Sequence, residues 1–178
     1  SPPPAFADAT YKYKAVRLFT PTDLYELGSS WSGLYHRHWR ESDSLIAVLK
    51  VDQGKGRKIL PTISLHGENS GYVIKGSMYY KSGYNGEFSK ILRTGDAFIV
   101  PACVPHALIL GWDADEETVV ISFHAGEAAA EYGPEGSLSP NLTAKSAIGK
   151  DDYEVTPECR ALKNAPPVTW TAADMPQP

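Results

Sequence analysis

Histidines at the ends of short apolar runs are the residues of this chain best suited to chemistry. Ser64-Leu65-His66-Gly67-Glu68 leads into Gly71-Tyr72-Val73-Ile74-Lys75-Gly76, and Gly95-Asp96-Ala97-Phe98-Ile99-Val100-Pro101 leads into Val104-Pro105-His106. A few imidazole and carboxylate groups brought together from distant sequence by a rigid sheet are what a divalent metal site requires. His66, Glu68 and His106 are the expected metal ligands. Two histidines and one carboxylate leave about three positions open on an octahedral ion, enough for a bidentate substrate and a further ligand such as dioxygen. Fe(II) is the expected occupant, with Zn, Ni, Mn or no metal as alternatives. His124, at the end of the run Val119–His124, is expected to serve as a further imidazole ligand or as an acid–base group, with His124 or Tyr72 orienting or deprotonating the substrate.

These side chains need strands to position them. Apolar runs alternate with turn residues at short spacing, which predicts a sandwich or barrel. The expected strands are Gly33–Arg40, Ser44–Val51, Lys58–His66, Gly71–Lys81, Phe88–Leu92, Asp96–Val100, His106–Leu110 and Glu117–His124. Turns such as Ser82-Gly83-Tyr84-Asn85-Gly86 and Thr94-Gly95-Asp96 separate them. Alternation puts Ser64 with His66, Tyr72 with Ile74, Gly76, Met78 and Tyr80, His106 with Leu108 and Leu110, and Ser122 with His124. If the sheet curls, the three histidines share an interior with Ser64, Met78, Tyr80, Leu108 and Ser122, the expected substrate pocket: a few polar groups in an apolar surround.

No long amphipathic helical period occurs. One short helix is expected around Glu127–Tyr132, and the Pro-, Ser-, Gly- and Lys-rich stretch from Gly133 onward reads as an extended arm or edge segment. The expected organisation is an N-terminal arm with a first edge strand over 1–30, a barrel over 31–126, and a helix and arm over 127–178.

Bulk properties narrow the partners. A chain of 178 residues suits one domain with a core of its own. A formal net charge of −4 with well-mixed signs speaks against nucleic acid or an anionic membrane. No apolar run approaches the roughly 20 residues of a membrane helix. A small-molecule substrate and a homodimer are therefore expected, the dimer because open sheets need their edges covered and a long arm can lie across a partner. Cys103, inside the second histidine segment, reads as a buried thiol, with a Cys103–Cys159 pair as the alternative. Asn141-Leu142-Thr143 reads as a chance sequon, and the compartment stays open with a lean to the cytoplasm. His36-Arg37-His38 is a literal His-x-His, but it reads as a polar edge strand at a subunit contact.

The two histidine segments resemble the paired motifs of the cupin superfamily over roughly Gly33 to Gly126. Among cupins they are most similar to single-domain members that cleave acetylacetone or 2,4'-dihydroxyacetophenone. The resemblance implies an all-β jelly roll, a conical barrel, and a metal held by two histidines and a glutamate of the first motif and a histidine of the second. His106 matches the second-motif histidine and His66 the second histidine of the first motif. Glu68 takes the acidic or amide position, with Asn69 in its place if the register shifts by one. Ser64 stands where the first histidine belongs. The implied activity is a metal-dependent dioxygenase breaking a C–C bond of a diketone or hydroxyketone. An isomerase, lyase or cyclase working by proton transfer, and a barrel that only binds a ligand, are the alternatives.

Overall fold

A computed structural model describes residues 29–31, 34–41, 44–55, 57–59, 63–126 and 153–176. Strands β1 (Ser29–Trp31), β2 (Leu34–Glu41), β3 (Ser44–Val51), β4 (Lys58–Ile59), β5 (Ile63–Leu65) and β6 (Asn69–Lys75) come first. β7 (Ser77–Ser82), β8 (Phe88–Arg93), β9 (Ala97–Val100), β10 (His106–Leu110), β11 (Thr118–Ala125) and β12 (Tyr153–Val155) follow. They form two sheets, ordered β1-β2-β3-β11-β6-β9 and β12-β5-β10-β7-β8, with β4 also on β10. Every pairing is antiparallel except β12 with β5. This is the expected jelly roll.

The interior between the sheets is apolar because alternate residues of each strand point there. Leu49, Val51, Val73, Met78, Leu92, Val100, Leu108, Leu110 and Val120 pack together, with Tyr80 stacked on Phe98 at 5.4 Å. Burial of this kind contributes about 25 cal/mol per Å² of apolar surface and dominates the stability of such a domain. The stretch expected as one strand from Gly71 to Lys81 is two, β6 and β7, lying in different sheets. Gly76 makes the corner at φ +81°, where an added Cβ would meet the backbone of Glu117 and Thr118. This corner reverses the alternation, so Tyr72 does not share a face with Met78 and Tyr80.

The outer face of the second sheet is also buried. Ile63, Leu65, Ala107 and Ile109 pack against Cys159, Trp170 and Met175 of the C-terminal segment. That segment begins as β12 on the sheet edge and turns into a short helix, α1 (Pro157–Arg160). Thr156 caps α1, its hydroxyl accepting from Cys159 N, and Pro157 occupies the first turn, where no N–H is needed. The described part of the arm packs on its own barrel, its apolar residues meeting Ile63 and Ile109 there. One expectation is corrected here. Cys103 is no free thiol but is bonded to Cys159, since the returning segment brings the two Cα atoms to 5.2 Å. The expected helix at Glu127–Tyr132 and the Asn141 sequon lie outside the described residues. No helix among the described residues is long and apolar enough to cross a membrane.

Candidate active site

One end of the barrel interior is polar. In the first sheet, register puts Leu45, His124, Asn69 and Val100 in one cross-strand row, and Ala47, Ser122, Gly71 and Phe98 in the next. In the second sheet His106 is opposite both Ser64 and Ser82. His66 follows β5 directly, on the connection that crosses from one sheet to the other. Its ring therefore meets both sides: centroids are 4.6 Å from His106 with planes at 88°, and 5.5 Å from His124 at 49°. His66, His106, His124 and Asn69 are 7%, 4%, 6% and 5% exposed.

Backbone anchors fix two of the rings. His66 Nδ1 lies 2.8 Å from the Gly67 carbonyl, and His106 Nδ1 lies 2.9 Å from the Val104 carbonyl. A carbonyl only accepts, so each Nδ1 carries the proton and each Nε2 keeps its lone pair. This is the tautomer a metal-ligating imidazole needs. Burial holds both rings neutral: desolvation pushes His106 down to about 3, helped by the neighbouring His66, and lowers His66 as well, in each case against the backbone hydrogen bond. His124 differs. Its Nε2 shares a 3.0 Å hydrogen bond with Ser122 Oγ, a pair on one face of β11.

The expected carboxylate is not at the cluster. Glu68 is exposed, and its carbonyl accepts from Ala125 N at 3.1 Å, which sets it on the outward-facing alternation. Asn69, one residue on, faces His124, and its Oδ1 is buried with no hydrogen-bond partner. A carbonyl oxygen in that state costs energy unless something fills it. Among the described residues, no three His, Cys, Asp or Glu side chains are grouped to hold a metal ion. Asn69, rather than Glu68, is therefore the oxygen-bearing side chain buried beside the histidines. Spacing offered Asn69 as the one-residue alternative, and only the sheet register separates the two.

Tyr72 is likewise corrected. It lies on the outer face of β6 and is 44% exposed. Met78, opposite Leu110, sits four residues down the strand from the His106 row, about 13 Å at strand rise. It and Leu108 pack in the same apolar cluster as Tyr80. Ser64 is half-buried beside His106, Ser122 is buried against His124, and Tyr80 is buried with its hydroxyl pushed up chiefly by desolvation. Phe98 is the wall that alternation in the first motif did not reveal: its ring lies over Gly71, where a Cβ would overlap it. His36 and His38, expected on an edge strand, lie instead on β2, which is paired on both sides by β1 and β3; their register partners on β3 are Leu49 and Ala47.

Two sheets enclose an apolar core, with imidazoles and an amide at one end. The chain belongs to the cupin family, whose model matches residues 16–135. Comparison with curated proteins finds no match. Among solved structures, KdgF from Halomonas sp. is similar at 20% identity and a TM-score of 0.50, covering 62% of this chain and 94% of that one. An RmlC-like cupin from Shewanella frigidimarina has 19% identity, a TM-score of 0.47 and coverage of 62% and 91%. A mutant of Bacillus subtilis oxalate decarboxylase OxdC has 18% identity and a TM-score of 0.47, covering 65% of this chain and 29% of that one. At 20% identity the likeness to KdgF speaks for the fold alone.

Proposed function

We propose that this chain is a small-molecule cupin enzyme in which His66, His106 and Asn69 hold a divalent metal, with Fe(II) and oxidative cleavage of a diketone or hydroxyketone as the leading chemistry. The single observation that carries this reading is the pair of Nδ1–H anchors on Gly67 and Val104, which leave two neutral Nε2 donors in one buried cluster. When bound, such an ion supplies Lewis acidity and, if iron, a place for dioxygen. All three donors are neutral, so the ion's double charge is left for an anionic chelator such as an enolate. Ser122 and His124 are the groups suited to hold or move the substrate proton, their hydrogen bond setting which heteroatom carries it. Phe98 and Tyr80 close the apolar side and keep water from it.

A second reading, proton-transfer isomerisation, elimination or cyclisation, is favoured by that same Ser122–His124 pair, which needs no metal. Metal analysis of the purified protein beside a His66→Ala/His106→Ala variant tests the first reading. Near-stoichiometric metal lost in the variant supports it, and oxygen uptake with a candidate diketone only in the presence of iron completes it. Lack of metal even after incubation with Fe(II) sinks it, and turnover under nitrogen then supports the second.

A further inference from the structure

Behind the cluster lies a connection that the proposed chemistry does not use. β12 runs along β5, pairing Glu154 with Ser64 and Val155 with Leu65, and Thr156 N donates to the Leu65 carbonyl at 3.0 Å. The same segment holds the loop between β7 and β8, where Thr169 N donates to Tyr84 O at 2.9 Å and Trp170 Nε1 to Gly83 O at 2.7 Å, and Tyr84 Oη in turn donates to Cys103 O, in the loop after β9, at 2.8 Å. Cys103 N in turn donates to the carbonyl of His66 at 2.8 Å. Next in sequence, Val104 supplies the carbonyl that orients His106. Cys103 has φ 62°, the left-handed region, where a residue with a Cβ stays only if its surroundings hold it. Its bond to Cys159 is the one covalent tie among the contacts that hold it there, beside the hydrogen bonds of its backbone to His66 and Tyr84 and the turn bond from Val104 N to Pro101 O at 3.3 Å.

We propose that the Cys103–Cys159 disulfide is a positioning element of the histidine cluster, so that metal binding by His66 and His106 depends on the thiol–disulfide state of the chain. This rests on reading those histidines as ligands. Reduction by a dithiol breaks the S–S bond with two electrons and two protons, leaving two cysteine thiols while the dithiol closes to its own cyclic disulfide. The C-terminal segment keeps its strand pairing and apolar contacts, but Cys103 is released from its left-handed conformation. Once it relaxes, its N–H leaves the His66 carbonyl and the Val104 carbonyl turns away from His106 Nδ1. Both rings then lose the fixed tautomer and aim that a metal requires.

The test compares the oxidised protein with protein reduced by dithiothreitol and then freed of it under nitrogen. A Cys103→Ser/Cys159→Ser variant serves as a permanent mimic of the reduced state. Amide hydrogen exchange is read at Cys103 and, as an internal reference, at Val120 in the core. Co(II) is the metal probe, followed by its dissociation constant and visible ligand-field spectrum. The expected result is at least tenfold faster exchange at Cys103 with Val120 unchanged, at least tenfold weaker Co(II) binding, an altered spectrum, and recovery on reoxidation. Unchanged protection at Cys103, or unchanged Co(II) binding after reduction, overturns the proposal. Equal acceleration at Cys103 and Val120 also overturns it, because the disulfide would then only stabilise the whole fold. If even the oxidised protein binds no Co(II), the metal reading and redox control of metal binding both fall, and the Cys103 amide alone decides whether the disulfide positions the cluster.

Discussion

The ring of His66 stands edge-on to that of His106, with centroids 4.6 Å apart, although one is carried by the crossing from β5 to β6 and the other opens β10. Each is tied by Nδ1 to a carbonyl next to it or two residues before it in sequence. The aim of each ring is thus set locally, and their meeting is set by sheet pairing.

Asn69→Asp separates metal binding from folding. A carboxylate at Asn69 adds a negative charge where the ion would sit, so Co(II) affinity is expected to rise at least tenfold. Without metal the same carboxylate is buried and uncompensated, and stability is expected to fall by about 1–3 kcal/mol. Calorimetric titration and urea unfolding check the two signs. Weaker metal binding in the variant would remove Asn69 from the ligand set.

Glu68→Ala and Tyr72→Phe are expected to leave metal affinity unchanged and stability within about 0.5 kcal/mol, since both side chains are exposed on the outward alternation. A tenfold loss of Co(II) affinity in Glu68→Ala would restore the carboxylate to the site.

Acid should destabilise the metal-free protein earlier than its carboxylates alone would dictate. The unfolded chain takes up a proton at His106 near pH 6.5, while in the folded chain this waits until about 3. Stability is therefore complete above about 6.5 and is lost as pH falls towards 3, with a slope up to about 1.4 kcal/mol per pH unit for this group. His66 adds to the slope in the same direction. Urea midpoints measured across that window should fall steeply in the parent and less steeply in His106→Gln. Parallel profiles would show that His106 is not held neutral.

Gly71→Ala is expected to destabilise by about 1–3 kcal/mol, because the new methyl group overlaps the Phe98 ring in a packed interior. Shortening the obstacle with Phe98→Leu in the same chain should recover part of the loss. A double-mutant cycle of unfolding free energies measures that coupling, and strict additivity would mean that Phe98 is not what Gly71 makes room for.

Much of this was legible in the sequence for a simple reason. Period-2 alternation and glycine or proline corners are local, so β3 and β10 have the bounds that alternation predicts, and His66, His106, Ser122 and His124 face inward as their strands require. The misassignments arise where one residue's shift matters. At Gly76 the chain changes sheet, which turned Tyr72 outward, and at Glu68–Asn69 only the pairing of Asn69 with His124 tells which of two adjacent polar residues is inside.

By itself, then, the amino-acid sequence determined which segments are strands and which imidazoles can reach a barrel interior, because both follow from local stereochemistry and the periodicity of burial. Tertiary structure alone decided that His66 bridges the two sheets, that an amide rather than a carboxylate stands beside His124, and that Cys159 returns to Cys103. Each of these depends on register and on contacts between residues far apart in the chain, and neither is encoded in any local pattern of residue types.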